Sequence, residues 1–240
     1  MGRSTPAQAF DAAALLRQHP VFGALAGGQV EKLASLATLR STPRGTVIFA
    51  KDDPGTALFA VRAGVVKITA PSADGREVMI SLVNPGDIFG EIALLDGGPR
   101  TADAVAMTDC NLMAVDRRDF LAFVHSEPRV AFKLIELLCA RIRSANEHFE
   151  EVVFLNLPAR LARTLLRLAD RKDAPAKGSK VAVTQRELGQ MVGMARESTN
   201  KQLRAWVRQN WIRLERGGIV VLAPDALAMI AGIDGARDTG

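Results

Sequence analysis

The chain has 240 residues, of which 48% are hydrophobic and 24% charged, with a formal net charge of +5. That balance fits one large and one small globular domain and excludes a disordered or membrane chain, and no apolar run approaches the roughly 20 residues that span a bilayer. Two cysteines are too few for a four-cysteine iron-sulfur site, and three scattered histidines supply no zinc ligand set.

The opening "MGRSTPAQAFDAAALLRQH" mixes polar residues throughout and lacks an apolar segment with a cleavage site, which predicts a cytoplasmic protein. Residues 8–38 carry helical punctuation, and an amphipathic helix is expected after Gly28. His19, His125 and His148 read as surface or boundary residues, and Cys110 and Cys139, each within an apolar pattern, as buried free thiols. From Leu39 to about Val124 brief apolar stretches alternate with Pro and Gly turns, as in "GTVIFAKDDPG", "ALFAVRAGVVKITAPSADG" and "NLMAVDRRDF". Even spacing of short strands predicts an antiparallel barrel or jelly roll.

Within that region lies "FGEIALLDGGPRTADAVA", residues 89–106, in which one acid, a pair of glycines and one arginine interrupt an apolar pattern. "GEIALL" can form a helical turn whose free amides face an anion. Arg100 presents a planar fork suited to a phosphate, and Glu91 can accept hydrogen bonds from a sugar hydroxyl. Gly97 and Gly98 allow a turn tight enough to bring both charges to one small ligand. The competing reading is a surface salt bridge between Glu91 and Arg100.

"SEPRVAFKLIELLCARIRSANEHFEEVVF" predicts a long helix with Ser126 as its cap and Pro128 in its first turn. Ala131, Ile135, Leu138, Ile142, Ala145, Phe149 and Val152 alternate in steps of four and three, an a/d seam held for about three heptads. Such a seam calls for a partner helix and predicts a parallel homodimer. Phe132, Leu134 and Val153 lie off the seam and are expected to pack on the chain's own barrel. Another helix follows Pro158, then the loop "KDAPAKGSK".

Thr184 and Glu187 have capping-box spacing and open a helix that Gly193 stops. "MARESTNKQLRAWVRQ" restarts a helix after a few residues, which is the spacing of a helix-turn-helix. Leu188, Met191, Val192, Leu203, Trp206 and Val207 are expected inside, leaving Arg196, Glu197, Thr199, Asn200, Lys201 and Arg204 outside. Between Thr184 and Arg216 stand seven basic and three acidic side chains, so most of the excess charge sits in this module. "LERGGIVVLAP" then has the outline of a β-wing, and the module reads as a double-stranded DNA binder. The tail beyond Ile233 is expected to be poorly anchored.

These motifs together have a family likeness. "GEIALL" followed by "PRTA" resembles the phosphate-binding cassette of cyclic-nucleotide-binding domains, and the chain from about residue 20 to 230 resembles the Crp-Fnr family of bacterial transcription regulators. The resemblance implies an α+β protein. An N-terminal β-roll (jelly-roll) cyclic-nucleotide-binding domain would occupy residues 1–125, a long dimerisation helix 126–155, and a C-terminal winged helix-turn-helix domain 156–240.

It also implies that Gly90, Glu91, Ile92, Ala93, Arg100 and Thr101 form the cassette. Glu91 would hold the ribose hydroxyl, Arg100 the cyclic phosphate and Thr101 the phosphate or base edge. Arg141, Ala145 and Asn146 on the long helix fall at the base, and the effector is cAMP or cGMP, with no covalent cofactor. In the recognition helix, Arg196 would read guanine, Glu197 cytosine, and Lys201 guanine, thymine or phosphate. Thr184, Gln185, Ser198, Thr199, Asn200 and Arg204 complete the DNA contacts, on a palindrome with TGTGA-like half-sites. RNA polymerase is a further implied partner.

Two other readings stay open: a regulator of this type using another effector or none, and a haem gas sensor. A cyclic-nucleotide module attached to a kinase or channel is disfavoured, since the chain carries no such segment. No nucleophile and base constellation appears, so the chain reads as a non-enzyme.

Overall fold

A computed structural model of the chain describes residues 13–14, 16–23, 25, 27–71, 77–169 and 178–233. It divides into two compact units. Residues Met1–Arg76 and Ile80–Arg143 form the first, and Glu77–Met79 with Ser144–Gly240 the second.

The first unit begins with helical residues up to 18 and helix α1 (Gly27–Leu36), whose Val30, Leu33 and Ala34 turn inward at helical spacing. Eight strands follow: β1 (Thr38–Thr42), β2 (Val47–Phe49), β3 (Ala57–Ala63), β4 (Val66–Pro71), β5 (Glu77–Val83), β6 (Ile88–Phe89), β7 (Asp103–Ala106) and β8 (Cys110–Asp116). They form two four-stranded sheets, ordered β1-β8-β3-β6 and β2-β7-β4-β5. The short helix α2 (Glu91–Asp96) interrupts them after β6.

Strand β3 shows why the first sheet reads as continuous apolar sequence. Ala57, Phe59 and Val61 face the core between the sheets, while Leu58 and Ala60 face a second core on the helical side. β8 does the same, with Cys110, Leu112 and Ala114 toward one core and Met113 and Val115 toward the other. A strand covered on both faces loses the alternation that marks a half-exposed one.

Residues 117–126 depart from the expected strand pattern and form helix α3 (Arg117–Ser126), which buries Phe120 and Phe123 one turn apart. Ser126 therefore closes α3, donating to Phe123 O at 2.9 Å, instead of capping the long helix. The long helix α4 (Pro128–Phe154) starts directly at Pro128, where the missing N–H costs nothing. Its Val130 and Leu134 enter the helical-side core. Phe132 and Val153, expected to pack beside Leu134, are exposed.

In the second unit, α5 (Leu157–Ala169) buries Leu161, Ala162, Leu165 and Leu166 along one face. They pack with α6 (Gln185–Met191), α7 (Arg196–Arg208), α8 (Pro224–Ile230) and a three-stranded sheet, β10-β11-β9, made of Ile212–Glu215, Gly218–Val221 and Lys180–Val181. Trp206, Leu188, Leu203 and Ile219 centre this core. Most of the "KDAPAKGSK" loop and the tail past Ile233 lie outside the described residues. Among the described residues no helix is long and apolar enough to cross a membrane, and no cluster of His, Cys, Asp and Glu could hold a metal ion.

Both thiols are free, but only Cys110 is buried, and Cys139 is exposed on α4. His19, expected at the surface or boundary, is buried instead, its Nδ1 accepting from Val21 N at 3.1 Å.

Candidate functional site

The turn before β6 is closed by Asp87, whose carboxylate accepts from Asn84 N at 3.0 Å. Gly90 then takes φ +82, a left-handed conformation that a side chain would strain, and α2 runs for six residues to Gly97. A Cβ at Gly90 would stand 2.6 Å from Arg100 Nη1, so this glycine gives the arginine its room. On the other side of α2, a Cβ at Gly55 would meet Ala93 O at 2.5 Å, which shows how closely the loop before β3 abuts the helix.

The backbone of Arg100 is clamped to that loop. Arg100 N donates to Asp53 O at 2.8 Å, and Asp52 N donates to Arg100 O at 2.9 Å. Its side chain, 3% exposed, donates from Nη1 to Gly90 O and from Nη2 to Ala57 O, both at 2.7 Å. The guanidinium carbon lies 4.1 Å from the centroid of the Phe49 ring. Burial pushes the Arg100 pKa down from its ordinary value, against the opposing pull of the Glu91 and Asp53 carboxylates. Of five N–H donors the two carbonyls engage two, and Nε has no partner among the described residues.

Glu91 is 1% exposed, and one of its oxygens accepts from Arg141 Nη1. Arg141 also donates from Nη2 to Ile88 O at 2.6 Å, which ties α4 to the cassette within the first unit. The second oxygen of Glu91, Oε2, is buried without a partner among the described residues. The structure thus rejects a surface salt bridge between Glu91 and Arg100: both are buried, and the acid's ion pair is with Arg141. What results is a buried guanidinium and a buried carboxylate, each with hydrogen-bonding capacity left over. Of the other cassette residues, Ala93 is buried, and Ile92 and Thr101 are exposed. Ala145 and Asn146 are exposed on α4 and belong to the second unit.

Along α4 the predicted seam is bare in the single chain. Ile142 is 61% and Phe149 68% exposed, and Ile135, Ala145 and Val152 are also exposed, with Leu138 half-buried.

The helix-turn-helix forms as its sequence predicts. Thr184 and Glu187 complete a reciprocal capping box at the start of α6, Gly193 takes φ +68 in the turn, and α7 begins at Arg196. Arg196, Glu197, Asn200, Lys201, Arg204 and Arg208 line one concave stretch of surface. Arg196, Asn200, Arg204 and Arg208 stand four residues apart and so share a helical face. Arg208 belongs to that row, and its place at the same four-residue step is the signal that would have found it.

Thr199 does not belong there. It is fully buried, donates to Ala195 O at 3.2 Å, and packs against α6 where Gly189 leaves space. Ser198 and Gln185 are half-buried, Thr184 is exposed, and Asn200 Oδ1 has no partner among the described residues. In the wing, Lys180 and then Arg213 hold the exposed Glu215 carboxyl below its usual range by hydrogen bonding to it.

Sequence reasoning missed Phe49 and the carbonyl of Ala57, both about forty to fifty residues upstream of Arg100. No local pattern links them to it.

Residues 39–127 match the family model for the cyclic nucleotide-binding domain, and residues 159–230 that for the Crp-like helix-turn-helix domain. The chain is 34% identical over 189 residues to the CRP-like cAMP-activated global transcriptional regulator of Mycobacterium tuberculosis, covering 78% of this chain and 84% of that one. It is 33% identical over 216 residues to the cyclic AMP receptor protein of Thermus thermophilus, covering 90% and 98%. Among solved structures, the regulator CLP of Xanthomonas campestris, described as c-di-GMP responsive, shares the fold with a TM-score of 0.74 at 23% identity, over 82% of this chain and 99% of that one.

Proposed function

The chain belongs to the Crp-Fnr family of transcription regulators, with a cyclic-nucleotide-binding domain and a Crp-like helix-turn-helix, and from that premise we propose that it is a homodimer switched by cyclic AMP onto a palindromic DNA site. The observation that carries the reading is the cassette geometry: a buried Arg100 with donors left over and a buried Glu91 with an oxygen left over. A cyclic phosphodiester satisfies the first and the ribose 2′-hydroxyl the second. Arg141, already paired with Glu91, holds the carboxylate in place for the sugar.

The relatives named for cyclic AMP favour that nucleotide over cyclic GMP. The exposed seam from Ile135 to Val152 is the surface that a second copy would cover, as an a/d stripe requires. Two copies of α7 then fit successive major grooves of TGTGA-like half-sites one helical turn apart. Arg196 reads guanine, Glu197 cytosine, and Lys201 guanine, thymine or phosphate. RNA polymerase is the expected protein partner on that DNA. The nucleotide acts by population shift, and a change from about 1% to 99% active requires a preference of roughly 5.5 kcal/mol for the DNA-binding state.

Calorimetric titration with cyclic AMP and with cyclic GMP, followed by gel shifts on a TGTGA palindrome at fixed salt, tests this. Saturable binding with a nucleotide-dependent gel shift, lost in Arg100→Leu, is the expected result. Binding of neither nucleotide, or an unaltered response in Arg100→Leu, overturns the assignment.

A further inference from the structure

We propose that Phe49 is a positioning residue for the effector site: its ring face seats the Arg100 guanidinium, so that the phosphate-binding fork is aimed before the nucleotide arrives. This rests on the reading that Arg100 takes the cyclic phosphate.

Three phenylalanines from three strands meet beneath the cassette. Phe59 of β3 and Phe89 of β6 are buried and stacked, with centroids 5.2 Å apart and planes 19° from parallel. Phe49, at the end of β2 in the opposite sheet, lies 5.9 Å from each. The Phe49 ring therefore has a fixed backing. Arg100 sits on it, its guanidinium carbon 4.1 Å from the Phe49 centroid and 5.9 Å from that of Phe59.

The chemistry explains the need. Among the described residues no carboxylate is hydrogen-bonded to this buried cation, although Glu91 and Asp53 act on it electrostatically, and burial of a charge that is not directly paired is costly. Two carbonyls restrain its edges through Nη1 and Nη2, but neither restrains its face. A ring quadrupole supplies the missing interaction, and cation-π contacts are strongest where water is excluded. In-plane bonds at two nitrogens and a ring against the face leave Nε and one N–H on each Nη for an anion.

Without the ring, the seated rotamer would compete with others. The apparent affinity for nucleotide falls by the fraction of molecules still seated. Leucine at position 49 keeps an apolar side chain on a half-buried strand end but removes the quadrupole. Tyrosine keeps both.

The experiment is calorimetric titration of cyclic AMP into the full chain carrying Phe49, Phe49→Leu or Phe49→Tyr, with melting curves to establish folding. A second series places mono-, di- and trifluorinated phenylalanine at position 49, which weakens the ring's pull on a cation while keeping its shape. We expect binding about tenfold weaker in Phe49→Leu, within the range such a contact carries. Affinity close to that of Phe49 is expected in Phe49→Tyr, and a stepwise loss with each added fluorine. Equal affinity across the fluorinated series, or Phe49→Leu within about twofold of the parent, overturns the proposal while leaving the nucleotide assignment intact. Failure of the parent chain to bind either cyclic nucleotide overturns that assignment and this proposal with it.

Discussion

Replacing Gly90 by alanine tests the cassette at its tightest point. Gly90 has φ +82 and ψ +13, where an L side chain costs about 1–2 kcal/mol. The new methyl would lie 2.6 Å from Arg100 Nη1, closer than side-chain carbons approach a neighbour, so the guanidinium must move. Moving it breaks the 2.7 Å bond to Gly90 O, and hydrogen bonds to charged groups contribute about 1.5–3 kcal/mol. Stability therefore drops by about 2.5–5 kcal/mol. If Arg100 takes the phosphate as proposed, nucleotide affinity drops about 10- to 150-fold with the fork displaced. Gly86→Ala separates the two effects: φ is +94 there, but nothing lies within 4 Å of the added Cβ, so it carries strain without the collision. Titration of both variants with cyclic AMP, beside their melting curves, gives the comparison. If Gly90→Ala binds as tightly as the parent, or if both variants weaken alike, the guanidinium is not held where the nucleotide needs it.

Other consequences follow from residues whose surroundings differ from their appearance in sequence. Thr199→Val should cost about 0.5–1.5 kcal/mol through the lost bond to Ala195 O, with DNA affinity of the folded protein unchanged, whereas Lys201→Ala should weaken DNA binding and alter the salt slope by about one if it contacts a phosphate. Gel shifts over a salt series distinguish the two. Ile142→Glu places a charge in the bare apolar seam, and if the seam is the proposed dimer interface, sedimentation should show the parent as a dimer and this variant as a monomer at the same concentration. His19 is held below its ordinary pKa by burial, with Arg141 acting in the same sense and Asp87 opposing. The unfolded chain thus takes up the proton first, and stability present above about pH 6.5 is lost as pH falls through the lowered folded value. Melting from pH 7.5 to 5.5 should show a smaller decline in His19→Asn, which keeps an acceptor for Val21 N.

Local sequence settled what local forces control. The capping box at Thr184, the turn at Gly193 and the hairpin of the wing all depend on neighbours within about seven residues, and all were legible. The cassette was legible as a string because glycines, an acid and an arginine are out of place in an apolar run. Tertiary structure decided which partners those charges take. Glu91 pairs with Arg141 fifty residues away, and Arg100 with two carbonyls and the ring of Phe49, because the sheet order β1-β8-β3-β6 and its facing sheet bring separate strands together. The same cause explains the misread residues. Residues 117–126 carry Phe120 and Phe123 at a spacing that one face of a helix buries, but in sequence they continue a strand-like apolar pattern. Thr199 is polar and lies on a helix rich in charge, yet the space beside Gly189 of α6 draws it inside. Burial is a property of what packs across from a residue, and periodicity along one chain segment does not contain it.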